Sequence, residues 1–232
     1  MTFAETDPEF AQYHADFVDE TLRNASLSTR DRVIVQLGAT IAAGAQTAFR
    51  DLLDTALDES LTPVEAKEIG YQAVAYVGSA RAGDFLAITN EVLTAHGVDL
   101  PLPGQSTTTP DDRLARGRDV QGTVVGADRV DAMYEGATED TLHFQRFLSG
   151  NCFGDTVGRA GLDLPTRELL TFALLVALGG ADDQVRGHVA GNLQVGNTRQ
   201  QLLDVLTVLV ALIGYPRTLN GLAAVNEGAP AA

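Results

Sequence analysis

One set of helix signals occurs twice in this chain, in the same order, on either side of a proline-rich segment. In the first half Leu27-Ser28-Thr29-Arg30-Asp31-Arg32 precedes an apolar run from Val33 to Ala43; in the second, Leu164-Pro165-Thr166-Arg167-Glu168 precedes Leu169 to Leu178. Both read as a helix start, with a hydroxyl at the N-cap and an acid in the first turn. After Gly44, and again after Gly179-Gly180, a second helix begins and ends near Leu57 or Val195. Thr62-Pro63-Val64-Glu65 and Thr198-Arg199-Gln200-Gln201 then open a third, the first of them with Pro at N1. These run to Gly78 and Gly214, and Arg81 and Arg217 follow the two glycines at the same distance. Helical runs recur, whereas paired alternating runs around an Asn-Gly or Asp-Gly turn are missing. The expected fold is all-α, built from two tandem helical-bundle repeats.

The segment from Asp99 to Pro110 holds three prolines, Gly104 and a Ser-Thr-Thr-Thr run, the composition of a linker. It sets an N-terminal repeat over residues 1–98, a linker over 99–110 and a C-terminal repeat over 111–232. The runs Leu169 to Leu178 and Leu202 to Ile213 are apolar on nearly every face, so part of their surface should meet another repeat or another subunit. Gly122-Thr123-Val124-Val125-Gly126 lacks the Lys-Ser/Thr of a P-loop and the spacing of a dinucleotide fingerprint, and reads as a turn.

Charge narrows the partners. With 31 acidic against 16 basic residues the net charge is -15, and no basic face is available for nucleic acid or an anionic membrane. Any anion site must therefore be local. The run Val205 to Ile213 is too short to span a bilayer, and Glu5, Asp7 and Glu9 stand where a secretory signal would be basic and then apolar. Cys152 is the single cysteine, which excludes an internal disulfide and a C-x-x-C pair. A cytoplasmic protein is expected. His96 and His143 have no acid or cysteine at metal-ligand spacing, so no metal is expected either.

Arg167-Glu168-Leu169-Leu170, then His188, then Gly196-Asn197-Thr198, then Ile213-Gly214-Tyr215-Pro216-Arg217-Thr218-Leu219-Asn220 are ordered and spaced so that the chain resembles the carboxymuconolactone decarboxylase family, which also contains alkylhydroperoxidase D. The resemblance covers Leu164 to Asn226 closely and Leu27 to Val92 loosely. In the peroxidase branch a C-x-x-C pair precedes the motif histidine; those positions here are Ala181 and Gln184. A dithiol cycle needs an attacking thiolate and a resolving sulfur, so that activity is not expected. What the resemblance carries over is Glu168 and His188 as a proton-relaying pair. The matching positions of the first repeat are Asp31 and Leu52, which implies one site per chain, with the first repeat as scaffold.

The decarboxylase branch implies chemistry on a carboxylated muconolactone, a small-molecule substrate, with no metal or organic cofactor. Loss of CO2 beside an unsaturated lactone leaves a dienolate-like anion, so the site needs donors near the developing charge and an acid to return the proton. His188 fits the acid or base, with Glu168 as its helper, and Arg186 or Arg217 fits a substrate carboxylate by bidentate pairing. Cys152 reads either as a small hydrophobe or as a lone thiol in contact with substrate. Glu168 has a structural reading too, since an acid in a first helical turn stabilises the dipole by about 0.3–1 kcal/mol. A hairpin turning near residue 181 sets His188 opposite residue 174, about 9 Å along the axis from Glu168, so direct contact would need a steep crossing or a water. Three readings stay open: a cofactor-independent enzyme on a small carboxylated or lactone-like molecule, a peroxidase-like antioxidant protein using Cys152 alone, and a non-catalytic ligand-binding or assembly protein. One-repeat decarboxylases of the family form hexameric rings. The resemblance therefore implies a homotrimer, a pseudo-hexamer of repeats, with a dimer as the alternative.

Overall fold

The computed structural model describes residues 3–231, and its regular elements are helices. Helices α1 (Phe3–Thr6) and α2 (Pro8–Arg23) lead into the first repeat, formed by α3 (Thr29–Ala43), α4 (Gln46–Glu59), α5 (Pro63–Val77) and α6 (Ser79–Ala95). After the proline-rich segment come α7 (Arg113–Val125), α8 (Ala127–Glu135) and α9 (Leu142–Phe147), which runs into a π-helical segment, Leu148–Val157. The second repeat is α10 (Leu164–Leu178), α11 (Asp182–Gln194), α12 (Arg199–Ile213) and α13 (Tyr215–Gly228). The all-α, tandem-repeat expectation holds.

Capping explains where most of these helices begin. Ser28 Oγ accepts the amide of Asp31 at 3.0 Å, and Thr62 and Thr198 each form a capping box, with Glu65 and Gln201. Two local expectations need correction. The cap of α10 is Asp163, whose Oδ1 accepts the Thr166 amide at 2.9 Å, so Thr166 is inside the helix and Glu168 lies beyond the first turn, fully buried. A dipole role does not account for it. Residues 122–125 belong to α7 rather than to a turn, and the chain reverses at Gly126, where φ is 96°.

Helix α10 is the centre of the molecule: every residue from Thr166 to Ala177 is buried. It lies on α3 of the first repeat and also touches α5, α11, α12 and α13. One hydrophobic core, including Ile34, Leu37, Leu170, Phe172, Leu174 and Leu209, runs through both repeats. Full burial of each such large side chain stabilises the fold by about 1.5–3 kcal/mol. The excess apolar surface of α10 is thus covered inside the chain. Helix α12 differs, leaving Leu212 exposed beside an outer surface that also shows Tyr215 and Leu219. Among the described residues no helix is long and apolar enough to cross a membrane.

A buried ionic contact joins the repeats. Arg167 on α10 is wholly buried, and its Nη2 donates to Glu68 Oε2 on α5 at 2.9 Å. Its Nη1 donates to Gln72 Oε1 at 2.9 Å, and Gln72 Nε2 donates back to the Arg167 carbonyl at 2.8 Å. The carbonyls of Leu162 and Arg159 accept from its Nε and Nη2 at 3.1 and 3.0 Å. Arg159 Nε also donates to both oxygens of Glu68. The proline-rich segment is tied down nearby: Gln105 O accepts the Ala160 amide at 3.0 Å, and Thr107 Oγ1 donates to Gly158 O at 2.7 Å.

Removing one member of a buried pair strands the other, at a cost of about 3–5 kcal/mol. Glu68→Ala is therefore expected to lower the urea midpoint by that equivalent with little change in the denaturant slope. A midpoint equal to that of the parent chain would mean that the pair does not hold the repeats together.

Candidate functional site

Glu168 and His188 meet directly: His188 Nδ1 donates to Glu168 Oε2 at 2.8 Å. The separation inferred from the hairpin was too long because the register is different. Asn192 Nδ2 donates to the Glu168 carbonyl at 3.0 Å and to the His188 carbonyl at 2.7 Å, so residue 192 sits beside residue 168. His188 is then one helical turn away, about 6 Å, which the two side chains span. Gly191 keeps the path open, since a Cβ there would stand 2.8 Å from Glu168 Oε2. Asn197 Nδ2 donates to Asn192 Oδ1 and to Pro165 O, both at 2.8 Å, and clamps the start of α10 to the end of α11.

The carboxylate is wholly buried, while the imidazole is 19% exposed. Because a carboxylate accepts, Nδ1 carries the hydrogen in this contact, and Nε2 is left to give or take a proton. Glu168 Oε1 is buried without a hydrogen-bond partner among the described residues.

Cys152 joins this pair and Arg186 and Arg217 do not. The thiol lies in the π-helical segment, where Gly158 N bonds to Phe153 O and Thr156 Oγ1 to Asn151 O, each five residues back. Such wide turns recur at functional sites. The segment rests on α7 through Gly117 and Gly154, whose backbones approach too closely for a side chain at either position. Burial, and after it the charge of Glu168, push the Cys152 thiol up to about 12, with a smaller opposing effect from the Tyr76 hydroxyl. Arg186 is on the exposed face of α11, paired with Glu227 and Asp183 at 2.9 Å each. Arg217 lies against Gly179, about 16 Å further along α10 than Glu168.

Tyr76 and Thr171 also stand at the pair, and the sequence did not reveal them. Tyr76, at the end of α5 in the first repeat, has its ring edge-on to His188 with centroids 6.2 Å apart. Its hydroxyl is 2.8 Å from Thr171 Oγ1, which in turn accepts from Gln72 Nε2 at 3.0 Å. Burial, then the charges of Cys152 and Glu168, hold its phenol well above the usual tyrosine range. The first repeat therefore places a side chain directly against the imidazole. Its own match to the pair also shifts: counted from the caps Ser28 and Asp163, Glu168 corresponds to Val33 and not to Asp31, and Leu52 still stands for His188.

Residues 8–91 and 143–227 both match the carboxymuconolactone decarboxylase family. The chain belongs to that family. Each matched segment takes in one repeat, so the unit of the carboxymuconolactone decarboxylase family is present twice. The chain is also 30% identical over 106 residues to 4-carboxymuconolactone decarboxylase of Acinetobacter baylyi, covering 46% of this chain and 78% of that one. Helices α7 and α8 lie between the matched segments. Helix α7 packs against the second repeat, with Val124 against Gly191.

A raised thiol pKa fixes the sign of a pH dependence. The folded chain favours the neutral thiol, so Cys152 should alkylate slowly at pH 8 and accelerate only as the pH approaches about 12, whereas the unfolded chain reacts near 9. By the same preference the fold loses stability as pH rises above 9, because the unfolded chain ionises first. Iodoacetamide rates measured with and without urea check this; equal rates in both states would contradict it.

Proposed function

We propose that this chain is a cofactor-independent enzyme of proton transfer and decarboxylation, acting on a small carboxylated or lactone-like molecule. The observation that carries the proposal is the contact between a fully buried carboxylate, Glu168, and a partly exposed imidazole, His188. That arrangement suits an acid–base group whose Nε2 faces substrate while Glu168 orients the ring and balances the charge it acquires. The similarity to a 4-carboxymuconolactone decarboxylase supports the same class of substrate. In the proposed step the bond from carbon to the carboxylate breaks and CO2 leaves. The electron pair passes into the unsaturated lactone as a dienolate, and His188 returns a proton to carbon. Neutral donors at Tyr76 and Cys152 would face the developing negative charge.

The thiol also bears on the one-cysteine peroxidase reading. Cys152 stands beside the pair, which favours that reading, but peroxide attack needs a thiolate and burial keeps this group protonated near neutral pH. With 4-carboxymuconolactone as substrate, His188→Ala is expected to lower kcat by about 10²- to 10⁴-fold at unchanged helix content. Glu168→Gln should cost about 10- to 100-fold by loosening the imidazole. Cys152→Ser should keep most of the activity. Decarboxylation that survives His188→Ala would reject the acid–base assignment, and peroxide turnover abolished by Cys152→Ser would favour the peroxidase.

For assembly, we propose a homotrimer in which six repeats close a ring. The exposed Leu212, Tyr215 and Leu219 are the support on this chain for a further interface. Light scattering at micromolar concentration should give three times the 24.5 kDa chain mass. A stable monomer would refute the interface, and a dimer the ring.

A further inference from the structure

Away from the Glu168–His188 pair, helix α5 and residues 102–105 enclose a cleft lined by Val64, Lys67, Tyr71, Leu102, Gln105 and Arg159, with Glu68 at its base. Its volume is about 50 Å³. That is room for about three or four water molecules, the size of a small carboxylate or a phosphate.

The charges around it do not balance. Arg159 Nε is taken up by Glu68, at 2.9 and 3.0 Å, and its terminal nitrogens make no hydrogen bond among the described residues. Glu68 is already committed to Arg167. Lys67 Nζ donates at 2.6 Å to Asn90 Oδ1, a neutral acceptor, and pairs with no carboxylate among the described residues. Asp163, the next acid toward Arg167, is occupied in capping α10. Arg159 therefore shares its one carboxylate with Arg167, and Lys67 beside it has none among the described residues, in a chain whose net charge is -15. Buried charge without a counter-ion is costly. Burial holds the Lys67 amine below the usual lysine range, as expected for an ammonium lacking an opposite charge.

Both cations also lie against the same aromatic ring, Lys67 Nζ at 5.3 Å and Arg159 Cζ at 5.0 Å from the Tyr71 centroid. With Val64 and Leu102 this ring gives the cleft an apolar wall. We infer that the cleft is a binding site for a small organic carboxylate, its oxygens on the terminal nitrogens of Arg159 and on Lys67 and its hydrocarbon part against Tyr71. Because the Arg159 carbonyl and Glu68 both hold Arg167, an occupant steadies the contact between the repeats.

Propionate is the test ligand, compared with chloride and with inorganic phosphate at constant ionic strength. Propionate should raise the melting temperature of the parent chain saturably, with heat of binding seen by titration calorimetry. Lys67→Gln leaves the Arg159–Glu68–Arg167 contacts untouched and should weaken propionate about tenfold or more. Arg159→Gln should abolish binding; if that variant does not fold, Lys67→Gln decides alone. His188→Ala should bind propionate as the parent does, which separates this cleft from the proposed acid–base site. The inference is overturned if chloride gives the same shift, if Lys67→Gln binds as tightly as the parent, or if His188→Ala loses binding. Phosphate binding as tight as propionate would overturn the carboxylate assignment.

Discussion

Arg167 is the largest side chain that this fold buries completely, and it carries a charge. Taking a guanidinium out of water costs several kcal/mol unless its donors are answered, and here four of the five are answered, by Glu68, Gln72 and two carbonyls. That requirement fixes more than one contact. Glu68, Gln72 and Tyr76 follow one another at four-residue spacing, which places them along one face of α5. Seating Glu68 and Gln72 on Arg167 carries Tyr76 to Thr171 and on to the edge of the His188 ring. The ion pair and the site are consecutive parts of one interface between α5 and α10.

Sequence patterns revealed the helices far better than they revealed this interface. Ser28, Thr62 and Thr198 announce their helices through local bonds within a few residues, so their effect needs no knowledge of the remainder of the chain. Glu168 and His188 were singled out only through the family resemblance, and their separation was not legible, because the register of α10 on α11 depends on Asn192 and on the missing side chain of Gly191. Tyr76 carries no local signal: at the end of an apolar helix it looks like any core aromatic. Glu68 and Arg167 look like surface charges until the two repeats are put together. The nearness of Cys152 to Glu168 depends on a π-helical turn and on a glycine contact with α7, neither of which has a period that reads out of the chain.

The two repeats have diverged in opposite senses. The second keeps the acid and the histidine, while the first holds Val33 and Leu52 at the positions that correspond. In exchange the first provides a phenol, an amide and a carboxylate that the second turns to use through Arg167 and Thr171. Helix α7 adds a third contribution by seating the segment that bears Cys152.

Tyr76 standing beside His188 has a consequence for whether the two halves could be separated. A duplicated unit ordinarily leaves a spare copy free to be lost, but here excision of either half would take away one side of the contact between Tyr76 and His188. Neither half on its own carries both rings of this contact.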